Sequence, residues 1–299
     1  MKLLRSFPFL FLFGILAFST SHAQTKKIDS LQNLLKTATD TTEVNLMNML
    51  GVNLRSFDKE KALDCFEESV EKSQDIGYVQ GEIQGLYSIA LTHGMTGGYA
   101  ESLDYLNRCL VLAKEHNDYE RINFIYNSMG IVYKRIGDYP RSQSYYLKRI
   151  QLVDSLQLDQ DLSSPYLNLG VIYSLMGEYD KAEDSYDMAL KAYNGPNRES
   201  IENNVLYNLG EIDFEKGNYE AALEKLLRAT TYLEKVSNNI DLCTLYLNIG
   251  KCYQELSQWE LAQDYYVRSL ALAEQLSINQ EIARIQYELA NLMAKQKKI

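Results

Sequence analysis

The side chains that most often carry chemistry are sparse in this sequence, and their spacing does not suit it. Apart from His22 near the start, the histidines are His93 and His116, and neither sits in a metal-binding pattern. A metal site needs three or four converging donors. Cys65, Cys109, Cys243 and Cys252 show no CxxC spacing, and Cys243 and Cys252 lie nine residues apart, too far to bridge along one helix. All four are expected as buried thiols used as small hydrophobes. GxSxG, HExxH and a phosphate-binding glycine loop are all absent, so no nucleophile elbow, zinc protease helix or nucleotide cradle is predicted. Nothing among the 40 acidic residues singles out a pair. The sequence assigns no catalytic, cofactor or metal residue, and the chain reads as non-enzymatic.

A polar row does recur. Ser88, Ser128, Asn168, Asn208 and Asn248 follow one another at steps of 40 residues. An asparagine in mid-helix must satisfy two donors and an acceptor. Such a ladder has two readings, and both stand at this stage. It grips the backbone of an extended peptide whatever the peptide's sequence, or it bonds between neighbouring repeats and stiffens them. Tyr87 and Tyr207 lie beside it and are candidates for contact; most of the 23 tyrosines fall in framework rows and are expected in the core.

The ladder belongs to a longer pattern. From Tyr166 the chain reads YLNLGVIYSLMGEYDKAEDSYDMAL, and copies start at Leu86, Tyr126, Leu206 and Tyr246 without insertion. Ala90, Gly130, Gly170, Gly210, Gly250 and Ala290 form a small-residue row where two helices approach. Gly97, Gly137, Gly177 and Gly217, with Ser257, mark the end of each first helix, where a left-handed residue is needed. Tyr99, Tyr139, Tyr179, Tyr219 and Trp259 open the second helix. Ser102, Ser142, Ala182, Ala222 and Ala262 are its small row, and Leu106, Tyr146, Tyr186, Leu226 and Tyr266 its large row one turn on. An earlier copy spans Met47 to Phe66, one residue short in the turn around Asp58. Ile28 to Thr37 reads as a leading helix, and Ile282 to Ala294 as an unpaired last one.

These rows resemble the tetratricopeptide repeat, over Thr42 to Ala294 and in the longer-helix, forty-residue variety. That variety is similar to kinesin light chain, bacterial peptide-pheromone receptors and the extracytoplasmic regions of some sensor proteins. The resemblance implies an all-α, right-handed superhelical solenoid of antiparallel helix pairs whose first helices line a concave groove. It also implies a protein or extended peptide as partner, held in that groove, and in the resembling proteins the matching asparagines grip a peptide backbone. Departures from the pattern are Asp213 and His93 in the tyrosine row and Arg149 in a small-residue row, and local loosening is expected there. Along the groove, Arg55, Lys134 and Arg135 fall in the early copies and Glu211, Glu215 and Glu255 in the late ones, with Lys251 the exception. Such polarity would fix the direction of a peptide; ordinary solvated helix charge is the plainer account.

The expected organisation is a signal peptide at 1–23, a leading helix at 24–41, six repeats at 42–281 and a capping helix at 282–299. Lys2 and Arg5, the apolar run from Phe7 to Phe18, and Ser21-His22-Ala23 before Gln24 make up the signal. Periplasmic or secreted location follows. Cleavage after Ala23 removes two cations and no acid, taking the formal net charge from −10 to −12. Such a surface repels phosphate backbones, so nucleic acid is not an expected partner. The function expected is a protein- or peptide-binding scaffold of a bacterial cell envelope. The alternative is a signal-sensing module acting on a separate histidine kinase or regulator. Oligomeric state is not legible.

Overall fold

Two helices per forty residues need two turns per copy, and the computed structural model, which describes residues 24–158 and 160–296, has them. A helix over 24–35, α1, lies slightly ahead of the expected leading segment. Then come α2 (Asp40–Leu54), α3 (Lys59–Ile76), α4 (Val79–Met95), α5 (Tyr99–Glu115), α6 (Tyr119–Ile136) and α7 (Tyr139–Leu156). They are followed by α8 (Ser163–Leu175), α9 (Tyr179–Ala192), α10 (Arg198–Glu215), α11 (Tyr219–Lys235), α12 (Asn239–Glu255), α13 (Trp259–Gln275) and α14 (Asn279–Gln296). The described residues contain no strand. The signal-peptide segment lies outside them.

The chain divides into two compact units, the first ending at Ser155 and the second beginning at Leu156. Within the first, α2 packs on α4 and α4 on α6; within the second, α8, α10, α12 and α14 pack in succession. First helices therefore neighbour first helices inside each unit, as stacked repeats require. The first unit has an apolar core around Phe66, Ile83, Leu106, Ile125 and Met129. The second is cored by Tyr186 and Ile212, by Leu226, Leu245 and Ile249, and by Tyr266, Ile285 and Leu292.

The small and large rows meet. A Cβ placed on Gly130 would lie 2.7 Å from the Tyr146 ring, and one on Gly250 would lie 2.5 Å from that of Tyr266. Gly170 faces Tyr186, Gly210 faces Leu226, and Gly51 faces Phe66 in the same way. The glycine makes room for a fully buried side chain, which is how each helix pair closes.

The first helices α4, α6, α8, α10 and α12 each end on a left-handed residue. Gly137 has φ +86°, and the next N–H, that of Asp138, donates back to the Tyr133 carbonyl at 2.9 Å. This is a Schellman closure. The second helices α3, α5, α7, α11 and α13 end alike, on Gly77, Asn117, Gln157, Ser237 and Ser277, all with φ between 50° and 69°, whereas α9 runs into extended Tyr193. In the first copy no residue from Arg55 to Asp58 has positive φ, which places the missing residue in that turn as expected.

Two helices are short. α8 has 13 residues and α9 has 14, against 17 or 18 for α3 to α7. Pro165 is the third residue of α8, and proline is tolerated only in a first turn. Gly195 and Pro196 follow the end of α9.

Loosening at the departures from the repeat is not what the structure contains. His93 stacks on Tyr105 at 5.9 Å between centroids, where Tyr133 stacks on Tyr145 at 5.5 Å in the next copy. Asp213 is ion-paired to Lys225, the residue at the same offset. Buried Arg149 donates to Asn123 Oδ1 at 2.9 Å and Asn127 Oδ1 at 2.8 Å. Each departure is matched by a partner that satisfies it.

Candidate ligand-binding site

The ladder divides by environment. Ser88 and Ser128 are buried. Ser88 Oγ accepts from Gln84 at 3.1 Å, and Ser128 Oγ bonds Tyr87 Oη across the repeat boundary at 2.8 Å. Asn168 and Asn208 are partly exposed, and each amide donates to a carbonyl one turn back in its own helix, Ser164 at 3.1 Å and Asn204 at 2.6 Å. Asn248 instead reaches across, donating to Tyr207 Oη and to Glu211 Oε1, both at 3.1 Å. Tyr87 and Tyr207 thus hold equivalent posts, each tying its repeat to the ladder position of the next.

The cross-repeat bonds make a triad in the second unit. Tyr207 Oη donates to Glu211 Oε1 at 2.8 Å, beside the Asn248 amide. Burial pushes the Glu211 carboxyl above its usual range, against the two donors that favour its charged form. Burial likewise raises the Tyr207 hydroxyl.

Around this triad the first helices open onto one cavity of about 580 Å³. Ser174 comes from α8, Glu211, Phe214 and Glu215 from α10, Asn248 and Lys251 from α12, and Arg284 from α14. Four successive first helices contribute, because residues at 40-residue steps repeat the same place on each. Of the lining residues, Glu211, Glu215, Asn248 and Lys251 are legible in the sequence. Arg284 and Phe214 are not: Arg284 stands where earlier copies have Gln84, Phe124, Ser164, Asn204 and Thr244, so no row announces it.

The basic candidates lie in the first unit. Lys134 of α6 is half-buried and Arg135 exposed. Burial, and then the neighbouring Arg135 charge, hold the Lys134 ammonium below its ordinary range. Arg55 lies over the Phe66 ring at 5.4 Å. Glu255, counted with the acidic end, is paired with Lys295 at 3.3 Å.

Cys109, Cys243 and Cys252 are buried and Cys65 half-buried, and all four are free thiols. Burial pushes Cys109 and Cys252 up to about 12 and Cys65 to about 11, so they are poor nucleophiles at neutral pH. Among the described residues, no three His, Cys, Asp or Glu side chains gather to hold a metal, and no helix is long and apolar enough to cross a membrane.

This architecture has relatives. No curated protein sequence matches the chain. Among solved structures, it is similar to BtubC (BKLC) from P. vanneervenii, with TM-score 0.61 and 19% identity over 73% of this chain and 92% of that one. It is also similar to the apo form of the quorum sensor NprR from B. thuringiensis, with TM-score 0.66 and 17% identity over 90% and 76%. A Rap protein complexed with Competence and Sporulation Factor gives TM-score 0.59 and 16% identity over 90% and 80%. Identities this low speak of the fold alone. A family profile, described as the tetratricopeptide repeat, matches residues 121–195 and 201–275, half of the chain. With the helix pairs and their small and large rows in place, the chain belongs to the tetratricopeptide repeat family.

Proposed function

We propose that this protein is a non-catalytic scaffold that holds an extended peptide or protein segment against its first helices. The observation that carries this reading is the second-unit cavity, onto which four successive first helices direct polar and aromatic side chains. Asn168 and Asn208 on the same first helices are partly exposed and offer amide groups to a peptide backbone. The fold is one in which NprR was solved with its cognate peptide NprX, and a Rap protein with Competence and Sporulation Factor. That likeness also favours a second reading of the same site, in which the bound peptide is a signal and the scaffold passes it to a separate regulator. The charged start, apolar run and Ser21-His22-Ala23 motivate a place in the bacterial envelope, periplasmic or secreted.

Two measurements test the proposal. The exported protein should have the intact mass of a chain beginning at Gln24; recovery of a chain beginning at Met1 in the membrane fraction contradicts export. Residues 24–299 should capture members of a random peptide library with dissociation constants in the micromolar range or tighter. A folded protein that captures none contradicts the binding role.

A further inference from the structure

Glu211 and Glu215 stand one turn apart on α10 and face the second-unit cavity. We propose that this cavity takes a cationic group of the bound peptide, a guanidinium or an ammonium; the inference rests on the peptide-holding reading above and names the chemistry that the site selects.

The charges lining the cavity favour a cation. Its two cations are already engaged by acids of α14: Lys251 Nζ lies 3.6 Å from Glu288, and Arg284 Nη1 lies 3.6 Å from Glu281. Glu211 and Glu215 have no such partner among the described residues. Glu211 Oε1 is held by Tyr207 and Asn248, while Oε2 has no donor among the described residues. A fixed, desolvated carboxylate with one oxygen unclaimed is built to accept a charge-assisted hydrogen bond. Phe214 and Tyr179 supply aromatic wall, and the Tyr179 ring already has the Lys216 ammonium 5.7 Å from its centroid. Carboxylate and aromatic face together suit a guanidinium or ammonium. An anionic group would meet two carboxylates here, only partly offset by Arg284 and Lys251, and an apolar one would seal Glu211 from water unpaired, which is costly.

Acidity should weaken the site. Glu211 is faced by Glu215 and Tyr207 from its own helix, Tyr186 from α9, Asn248 and Lys251 from α12, and Arg284 from α14. Burial raises its carboxyl above the ordinary range, so it gains its proton earlier than an exposed glutamate as pH falls. Each protonation removes a charge that the cation needs.

The test uses residues 24–299, with Nα-acetyl-arginine amide as a small probe and a peptide library in free-amine and N-acetylated forms. Captured peptides should be enriched in arginine or lysine, or should lose binding on N-acetylation, which tells a side-chain cation from a terminal one. The probe should compete with them. Glu211→Gln keeps the size of the side chain and an acceptor for Tyr207, so the fold should survive, as a melt will verify. It should weaken basic peptides by about 10- to 100-fold, with Glu215→Gln acting in the same direction. Capture without basic enrichment, unchanged in Glu211→Gln, overturns the inference and leaves the peptide reading intact. Probe binding that Glu211→Gln abolishes, with no peptide captured, upholds the cation site and removes the peptide reading. If neither probe nor peptide binds, both fall.

Discussion

At the scale of single residues, the repeat is a set of fitted pairs. Gly170 accommodates Tyr186, whereas in an earlier copy Ala90 stands opposite Leu106. The two solutions exchange a methyl on one helix against ring volume on the other. Gly170→Ala gains about 1 kcal/mol of helix propensity, but its methyl overlaps the buried Tyr186 ring, at a cost of roughly 1–3 kcal/mol. Adding Tyr186→Leu recreates the Ala90–Leu106 pair. Denaturant melts of the double-mutant cycle should therefore give a favourable coupling of about 1 kcal/mol or more; additive effects would mean that these rows do not meet. This pairing was legible in the sequence because a small residue and a large one recur at the same two positions in every copy. The buried Arg149 was not. Its partners Asn123 and Asn127 are one turn apart in the sequence, but only packing of α6 against α7 brings them to the guanidinium.

At the scale of the helix, the asparagine ladder separates into members with different work. The Asn248 amide spans two repeats and bonds a buried carboxylate, so Asn248→Ala removes a donor to a charged group, worth about 1.5–3 kcal/mol. Asn168 donates only to its own helix, and Asn168→Ala should stay within about 0.5 kcal/mol of the parent in stability. If Asn168 grips a peptide backbone, the same variant loses about 0.5–1.5 kcal/mol of binding. Thermal melts and peptide titrations on both variants check this. A lowered melt for Asn168→Ala, with unchanged affinity, would make the whole row structural. The row itself could be read from the sequence, but not its division, which depends on Tyr207 and Glu211 lying across the repeat boundary. The helix ends were half legible. Glycine marks the ends of α4, α6, α8 and α10, while five of the second helices use Gly77, Asn117, Gln157, Ser237 and Ser277, which share a backbone shape and no side chain. Pro165 was the available signal that α8 starts late.

For the whole molecule, the forty-residue register runs on through Ser155, the point after which the chain divides into two compact units. The framework rows run through that point, Gly137 to Gly177 and Tyr139 to Tyr179, while Ser128 gives way to Asn168 and Ser142 to Ala182; the late start of α8 is what periodicity does not register. In the second unit, first helices of four repeats share a cavity. The proposed ligand lies on the first helices. Hydrogen exchange of residues 24–299, with and without a captured peptide, tests it most directly. The account predicts that the peptide slows exchange in α8, α10 and α12 while α9, α11 and α13 are unchanged. Protection concentrated in α9, α11 and α13 would put the ligand on the second helices and contradict it.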